Sequence, residues 1–434
     1  MQLKRAPIAA LLLAAAVHAG AEVPAGPWHG RISAGIQRIS LVFHFGPDGT
    51  CTVDSPDQGA TGLQARLLPC GTDSVAVAIP AVQAEYRGKI GPSTITGRFR
   101  QGPYVLPLTL KPGAVGLKRP QTPVPPFPYT TEDVTIPAGD AVLSATIAYP
   151  EGYAPGMRPP LAVLVSGSGL QNRDEEIMGH KPFAVLADYL ARHGVATLRY
   201  DDRGYARSTG ATDSATTLTY AADAAAAVDF ARSLDRFGKV GVAGHSEGGT
   251  IAFILGSRGL IDFAVSLAGA AIPGRDILMA QNRRVLADAG YDSAVAEAYC
   301  AALAPVLAGE EPDAEAIREL PEPLQANLRS VAANMSPWLR FFAAGDPSED
   351  LRSLKCPLLA LNGELDMQVE ATANLAAIRA AVPAGIDCIV RSYPGLNHLF
   401  QPCATGAVTE YGTIETTMAG EVLRDAAEWI AGVR

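Results

Sequence analysis

Lys239-Val-Gly-Val-Ala-Gly-His-Ser-Glu-Gly-Gly249 joins a short apolar run to a Gly-x-Ser-x-Gly pattern, and an apolar, helix-forming segment follows directly. Strand, glycine-flanked serine, helix is the order of a sharp turn that lifts a serine hydroxyl above a buried parallel sheet. Gly244 and Gly248 leave room for such a turn, and the helix start points backbone N–H groups at developing negative charge. In a chain with 43 glycines the five-residue pattern is weak by itself. Its setting, apolar run before and helix after, is what marks Ser246 as a nucleophile rather than a structural serine.

Working outward from this turn, apolar runs alternate with helical segments, which is the signature of a mostly parallel sheet covered by helices. The runs at 143–149, 161–165, 196–200, 240–243, 263–267, 358–361 and 389–393 read as strands. Helices are expected over 183–192, 220–234, 250–255, 375–381 and 421–430. Between 273 and 350 the alternation stops in an Ala-, Leu- and Glu-rich stretch too long for a loop, so it reads as a helical cap inserted over the site.

The first part of the chain differs. Short alternating runs such as Ile39-Ser-Leu-Val-Phe-His-Phe45, broken by turn clusters such as Gly46-Pro-Asp-Gly49, predict a small all-β domain over 22–117, barrel or sandwich. His29 and His44 read there as surface or half-buried strand residues, since no second ligand recurs at metal spacing. A Pro-rich stretch over 118–130 cannot enter a helix or sheet interior and reads as a linker to a catalytic domain over 131–434. Before all of this, Lys4-Arg5, an apolar stretch and Ala19-Gly20-Ala21 have the form of an export signal over 1–21, which predicts a periplasmic or extracellular protein. The apolar stretch is too short to anchor the chain stably in a bilayer.

Composition narrows the function classes. A net charge of −9 argues against a nucleic-acid partner, and no phosphate-cradling or His-Glu-x-x-His pattern calls for a nucleotide or metal, so no cofactor is expected. Six cysteines in an exported chain suggest disulfides, with Cys51–Cys70 and Cys388–Cys403 as candidate pairs and Cys356 as a buried free thiol. Cys300 is ambiguous.

A neutral serine hydroxyl needs a base to take its proton and an acid to hold that base in one tautomer. His398, in Gly395-Leu-Asn-His-Leu399 after the last strand, is the candidate base. Asp366, just past the turn that ends the preceding strand, is the candidate acid, ahead of Glu364 and Asp387, because such sheets place their functional groups at the carboxyl ends of strands. Two backbone N–H donors are needed for the oxyanion. Glu247, after the nucleophile, supplies one, and Ser168 in Ser166-Gly-Ser-Gly169 is chosen for the other, with Gly169 next. Asp201 and Arg203 read as a structural ion pair near the site. Trp338 and Phe342, in the last part of the cap, are candidates to wall a substrate pocket, though packing of the cap explains them equally well.

Taken together, Ser166-Gly-Ser-Gly-Leu-Gln-Asn-Arg-Asp-Glu175, Leu198-Arg-Tyr-Asp-Asp-Arg-Gly204, Gly244-His-Ser-Glu-Gly248, Ala360-Leu-Asn-Gly-Glu-Leu-Asp366 and Gly395-Leu-Asn-His398 resemble the α/β-hydrolase superfamily. Within it the chain is similar to exported bacterial esterases with prolyl-oligopeptidase-like catalytic domains, and Asp54-Ser-Pro-Asp-Gln-Gly-Ala60 resembles the small N-terminal β-domain that often precedes them. The resemblance implies a serine esterase acting on small carboxylic esters. A peptidase or an acyltransferase would use the same triad, and a binding protein on an inactive scaffold is the remaining alternative. Many relatives carry His-Gly where this chain has Ser166-Gly167, which bears on the second oxyanion donor.

Overall fold

The computed structural model describes residues 25–34, 37–56, 60–113 and 119–433. The expected export signal and Lys118 lie outside the described residues, as do positions 57–59 of the Asp54–Ala60 stretch. Internal contacts divide the chain into two compact units, Met1–Gly116 and Leu117–Arg434.

The first unit is a closed barrel of eight antiparallel strands running from Gly26–Ala34 to Tyr104–Pro112. Each strand pairs with the next in sequence, and closure comes from Trp28 opposite Pro112 and His29 opposite Lys111. Period-2 alternation explains the core, because every second side chain points inward. Phe43, Tyr86, Ile95 and Leu110 are fully buried there. His29 and His44 are half-buried, and the His44 ring is 2.7 Å from the Asp54 carboxylate.

The second unit is an eight-stranded sheet flanked by helices. From one edge its strands are Cys388–Tyr393, Leu358–Gly363, Ala264–Leu267, Val240–His245, Leu161–Val165, Ala196–Tyr200, Ala141–Ala148 and Thr131–Ala138. The first six are parallel, and the last two add antiparallel at the far edge. Leu161–Val165 is buried at every position, as expected of a central strand with helices on both faces. The edge strand Thr131–Ala138 was not among the expected strands. Its alternation of exposed and covered residues, with Pro137 in it, lacks the apolar run that marks the central strands.

Helices between Gly274–Asp288 and Ser348–Arg352 fill the interval between the strands Ala264–Leu267 and Leu358–Gly363. They have their own core, including Leu303, Leu307, Leu324 and Leu328. Ala270, Ile277, Val369 and Phe342 form a smaller apolar cluster where this cap meets the sheet. From Arg119 on, the Pro-rich stretch is tied into the same unit: the Arg119 guanidinium donates to the carbonyls of Met178, Gly412 and Ile414, and Gln121 donates to that of Met418.

None of the six cysteines is paired, which corrects the two expected disulfides. Cys51 is buried on an inward-facing strand position of the barrel, whereas Cys70 is exposed beside a turn and donates to the Ser74 carbonyl. Cys403 donates to the Gly395 carbonyl, and Cys388 lies in the edge strand. A disulfide needs Cβ atoms within about 4.5 Å and facing each other, which proximity in sequence does not provide. Cys300 and Cys356 are buried thiols.

Candidate active site

The strand Val240–His245 runs straight into the helix Glu247–Ser257, and Ser246 alone makes the turn, with φ of 53° and ψ of −117°. A non-glycine residue held at positive φ is costly and persists only where its surroundings enforce it. Here the enforcement is close packing. A Cβ on Gly244 would lie 1.9 Å from the Gly248 carbonyl oxygen, and one on Gly248 would lie 2.1 Å from that of Val165. Glycine at both positions therefore lets the helix Glu247–Ser257, the strand Val240–His245 and the strand Leu161–Val165 meet backbone to backbone.

His398 sits on the loop after the edge strand Cys388–Tyr393 and is buried. Its Nδ1 is 2.7 Å from Asp366 Oδ2. Asp366, also buried, accepts on its other oxygen from the backbone N–H groups of Gln368 and Val369, both at 2.8 Å. The carboxylate is thus oriented by its own turn, and the ring is oriented by the carboxylate. Glu364 bonds Ser392 at an exposed position, and the backbone carbonyl of Asp387 accepts from Leu358 N–H at the start of a strand, so neither competitor pairs with His398.

A cavity of about 210 Å³ collects most of the expected residues. Ser168, Ser246, Glu247, Trp338, Phe342 and His398 all line it. Asp366 lies behind His398. Trp338 and Phe342 stack on each other with ring centroids 5.5 Å apart, and the Trp338 indole N–H donates to Glu247 Oε1 at 2.8 Å. Thr217 donates to the same oxygen at 2.7 Å. The side chain of the residue after the serine therefore ties the cap to the sheet.

Asp201 and Arg203 do not pair with each other, contrary to expectation. Asp201 pairs with Arg173, while Arg203 pairs with buried Asp223 and with Asp140. Both lie past the end of the strand Ala196–Tyr200, where the chain turns and strand alternation no longer holds, and the two carry separate networks.

Two residues of the cavity wall escaped sequence reasoning. Glu175 is buried at a positive φ of 52°, and its Oε1 accepts from Gly167 N–H and from His245 Nδ1, both at 2.8 Å. His245 is the residue before Ser246, and its Nε2 donates to the His398 carbonyl at 3.0 Å. Burial opposes charge on this imidazole, but the Glu175 carboxylate outweighs it and holds the ring above the ordinary histidine range. Asp202 anchors the same loop, accepting from the Ser166 hydroxyl and Gln171 N–H. Burial, with Glu175 and Asp223 as like-charged neighbours, pushes its carboxyl up to about 7.

Among the described residues, no group of three or more His, Cys, Asp or Glu side chains is placed to hold a metal, and no helix is long and apolar enough to cross a membrane.

An open, mostly parallel sheet with a serine at a strained strand-to-helix turn and a buried Asp-His pair beyond later strands defines the class. The alpha/beta hydrolase family model matches residues 162–409, and the chain belongs to that family. Esterase EstD of Thermotoga maritima is 27% identical over 246 residues, covering 57% of this chain and 54% of EstD, so the chain spans about half the length of that relative. Among solved structures, Est1E of Butyrivibrio proteoclasticus with ferulic acid bound is 19% identical, covering 69% of this chain and 96% of that one at a TM-score of 0.42. A Pyrococcus furiosus esterase is 16% identical, covering 74% and 99% at a TM-score of 0.45.

Proposed function

We propose that this protein is a serine hydrolase that cleaves small carboxylic esters through an acyl-enzyme intermediate. The observation that carries the reading is the convergence of Ser246, held at positive φ, with His398, bonded to buried Asp366, on one small cavity. In this reading His398 Nε2 takes the proton of the Ser246 hydroxyl as its oxygen attacks the ester carbonyl, and Asp366 steadies the imidazolium that forms. The alcohol leaves with that proton, and water, activated by the same histidine, releases the acid. The Glu247 N–H and the Ser168 N–H receive the oxyanion; Gly167 N–H is already committed to Glu175. Trp338 and Phe342 wall the substrate side of the cavity. The name of the EstD relative supports an ester over an amide substrate.

A fluorophosphonate tests this directly, because it modifies only an activated serine. The expected result is stoichiometric labelling of Ser246, blocked by prior turnover-dependent acylation, in a protein that hydrolyses p-nitrophenyl esters. An unlabelled Ser246 in folded protein overturns the reading.

A further inference from the structure

Gly167, His245 and His398 lie in three separate segments that meet around one buried carboxylate. Glu175 Oε1 holds the oxyanion-loop backbone at Gly167 and the ring of His245, and the far side of that ring holds the backbone of the base residue itself. The hydrogen bonds locate the protons of the ring. A backbone carbonyl can only accept, so His245 Nε2 carries a proton. A second proton lies between Nδ1 and Glu175, and the Gly167 N–H donated to Oε1 stabilises the carboxylate form, which leaves this proton on the nitrogen. The rings of His245 and His398 are 4.6 Å apart between centroids.

We propose that His245 is a charged imidazolium, paired with Glu175, which positions the oxyanion loop and the base loop together. The inference rests on His398 being the base and deepens that reading.

The electrostatics follow from distance. The positive end of the His245–Glu175 pair lies against His398, and the negative end lies beyond it. The other charged groups around this spot are Asp366, bonded to His398, and Asp202, which neighbours Glu175 at the oxyanion loop. The same pair is fully buried, which explains why it is built as a pair: an isolated charge there would be strongly destabilising. Glu175 Oε2 is buried with no hydrogen-bond partner, so the carboxylate acts through one oxygen only.

Two variants and one spectrum test the proposal. In both Glu175→Gln and His245→Gln kcat should fall by about 10- to 100-fold, as expected when reacting groups are displaced slightly. KM should change little. Because Asp202 neighbours Glu175, the loss in His245→Gln is the cleaner of the two. The double variant should lose about as much as the worse single one, since the two residues act as one unit. In wild-type protein labelled with 15N-histidine, and with the His245 signals assigned from the variant, both ring nitrogens should be protonated at about pH 8, well above the ordinary histidine value of about 6.5. This spectrum needs no active variant. A bare ring nitrogen on His245, or an undiminished kcat in a folded variant, overturns the proposal. Fluorophosphonate labelling of wild-type Ser246 separates this failure from failure of the triad itself.

Discussion

Both units of this protein are built on eight strands, yet they treat charge in opposite ways. Among the described residues of the barrel, the buried polar side chains are Ser40 and Ser55. The hydrolase unit buries Glu175, His180, Asp201, Asp202, Arg203, Asp223, His245, Glu247, Asp366 and His398. The difference follows from topology. An antiparallel barrel closed strand to strand has short turns at both rims and fills its interior with side chains. A parallel sheet brings the carboxyl ends of its strands to one edge, where long loops converge and can pair charges with one another. The lesson is that chemistry collects where the connections are long, not where the core is largest.

Breaking the chemistry should leave the barrel untouched. Ser246→Ala is expected to lower kcat on the order of 10⁶-fold, by analogy with a triad serine in a comparable hydrolase, while the far-ultraviolet spectrum and cooperative melting stay those of the wild type. Retained turnover would place the nucleophile elsewhere.

The comparison sharpens with one substitution on each side. Phe43, fully buried in the barrel, should cost about 3 to 5 kcal/mol of barrel stability when changed to Ala, with no change in preferred acyl length. Trp338→Ala should do the reverse, changing discrimination along an acyl chain-length series by about 1 to 3 kcal/mol. If Trp338→Ala keeps the wild-type profile, the indole serves only to pack the cap.

The smallest expected effect is on stability against pH. His180 in the hydrolase unit is held down to about 4, first by burial and then by the Arg119 charge, against an ordinary 6.5. Below 6.5 the unfolded chain takes up this proton and the folded one does not, so the contribution is lost as pH falls from 6.5 towards 4. Asp202 has the opposite sign: raised from 3.8 to about 7, it favours the folded state at low pH and the benefit is lost as pH rises through that interval. Melting midpoints across this range should fall less steeply on acidification in His180→Asn and more steeply in Asp202→Asn. Unchanged slopes would mean that neither group titrates as its surroundings imply.

Much of the hydrolase unit was legible because its central strands are short, mostly apolar runs. The expected 161–165 and 196–200 coincide with the strands Leu161–Val165 and Ala196–Tyr200. Ser246, Asp366 and His398 were chosen by chain order and by their places just after strands, and the structure brings Asp366 and His398 into contact. Glu175 was not legible. It is one acidic residue among many in a polar loop, and its position depends on a positive φ and on a partner 70 residues away. His245 was hidden inside the motif that revealed its neighbour. The cysteine pairs failed because nearness in sequence does not set the direction of a Cβ.

The bond between the Trp338 indole and the Glu247 carboxylate has a consequence for modularity. The cap looks exchangeable, since it enters and leaves between two adjacent strands and has a core of its own. A transplanted cap without a donor at that position would leave the Glu247 carboxylate short of a partner right behind Ser246. Chimeras at this junction therefore have to be cut as a matched set, cap and turn together, and the natural unit of exchange is larger than the inserted helices.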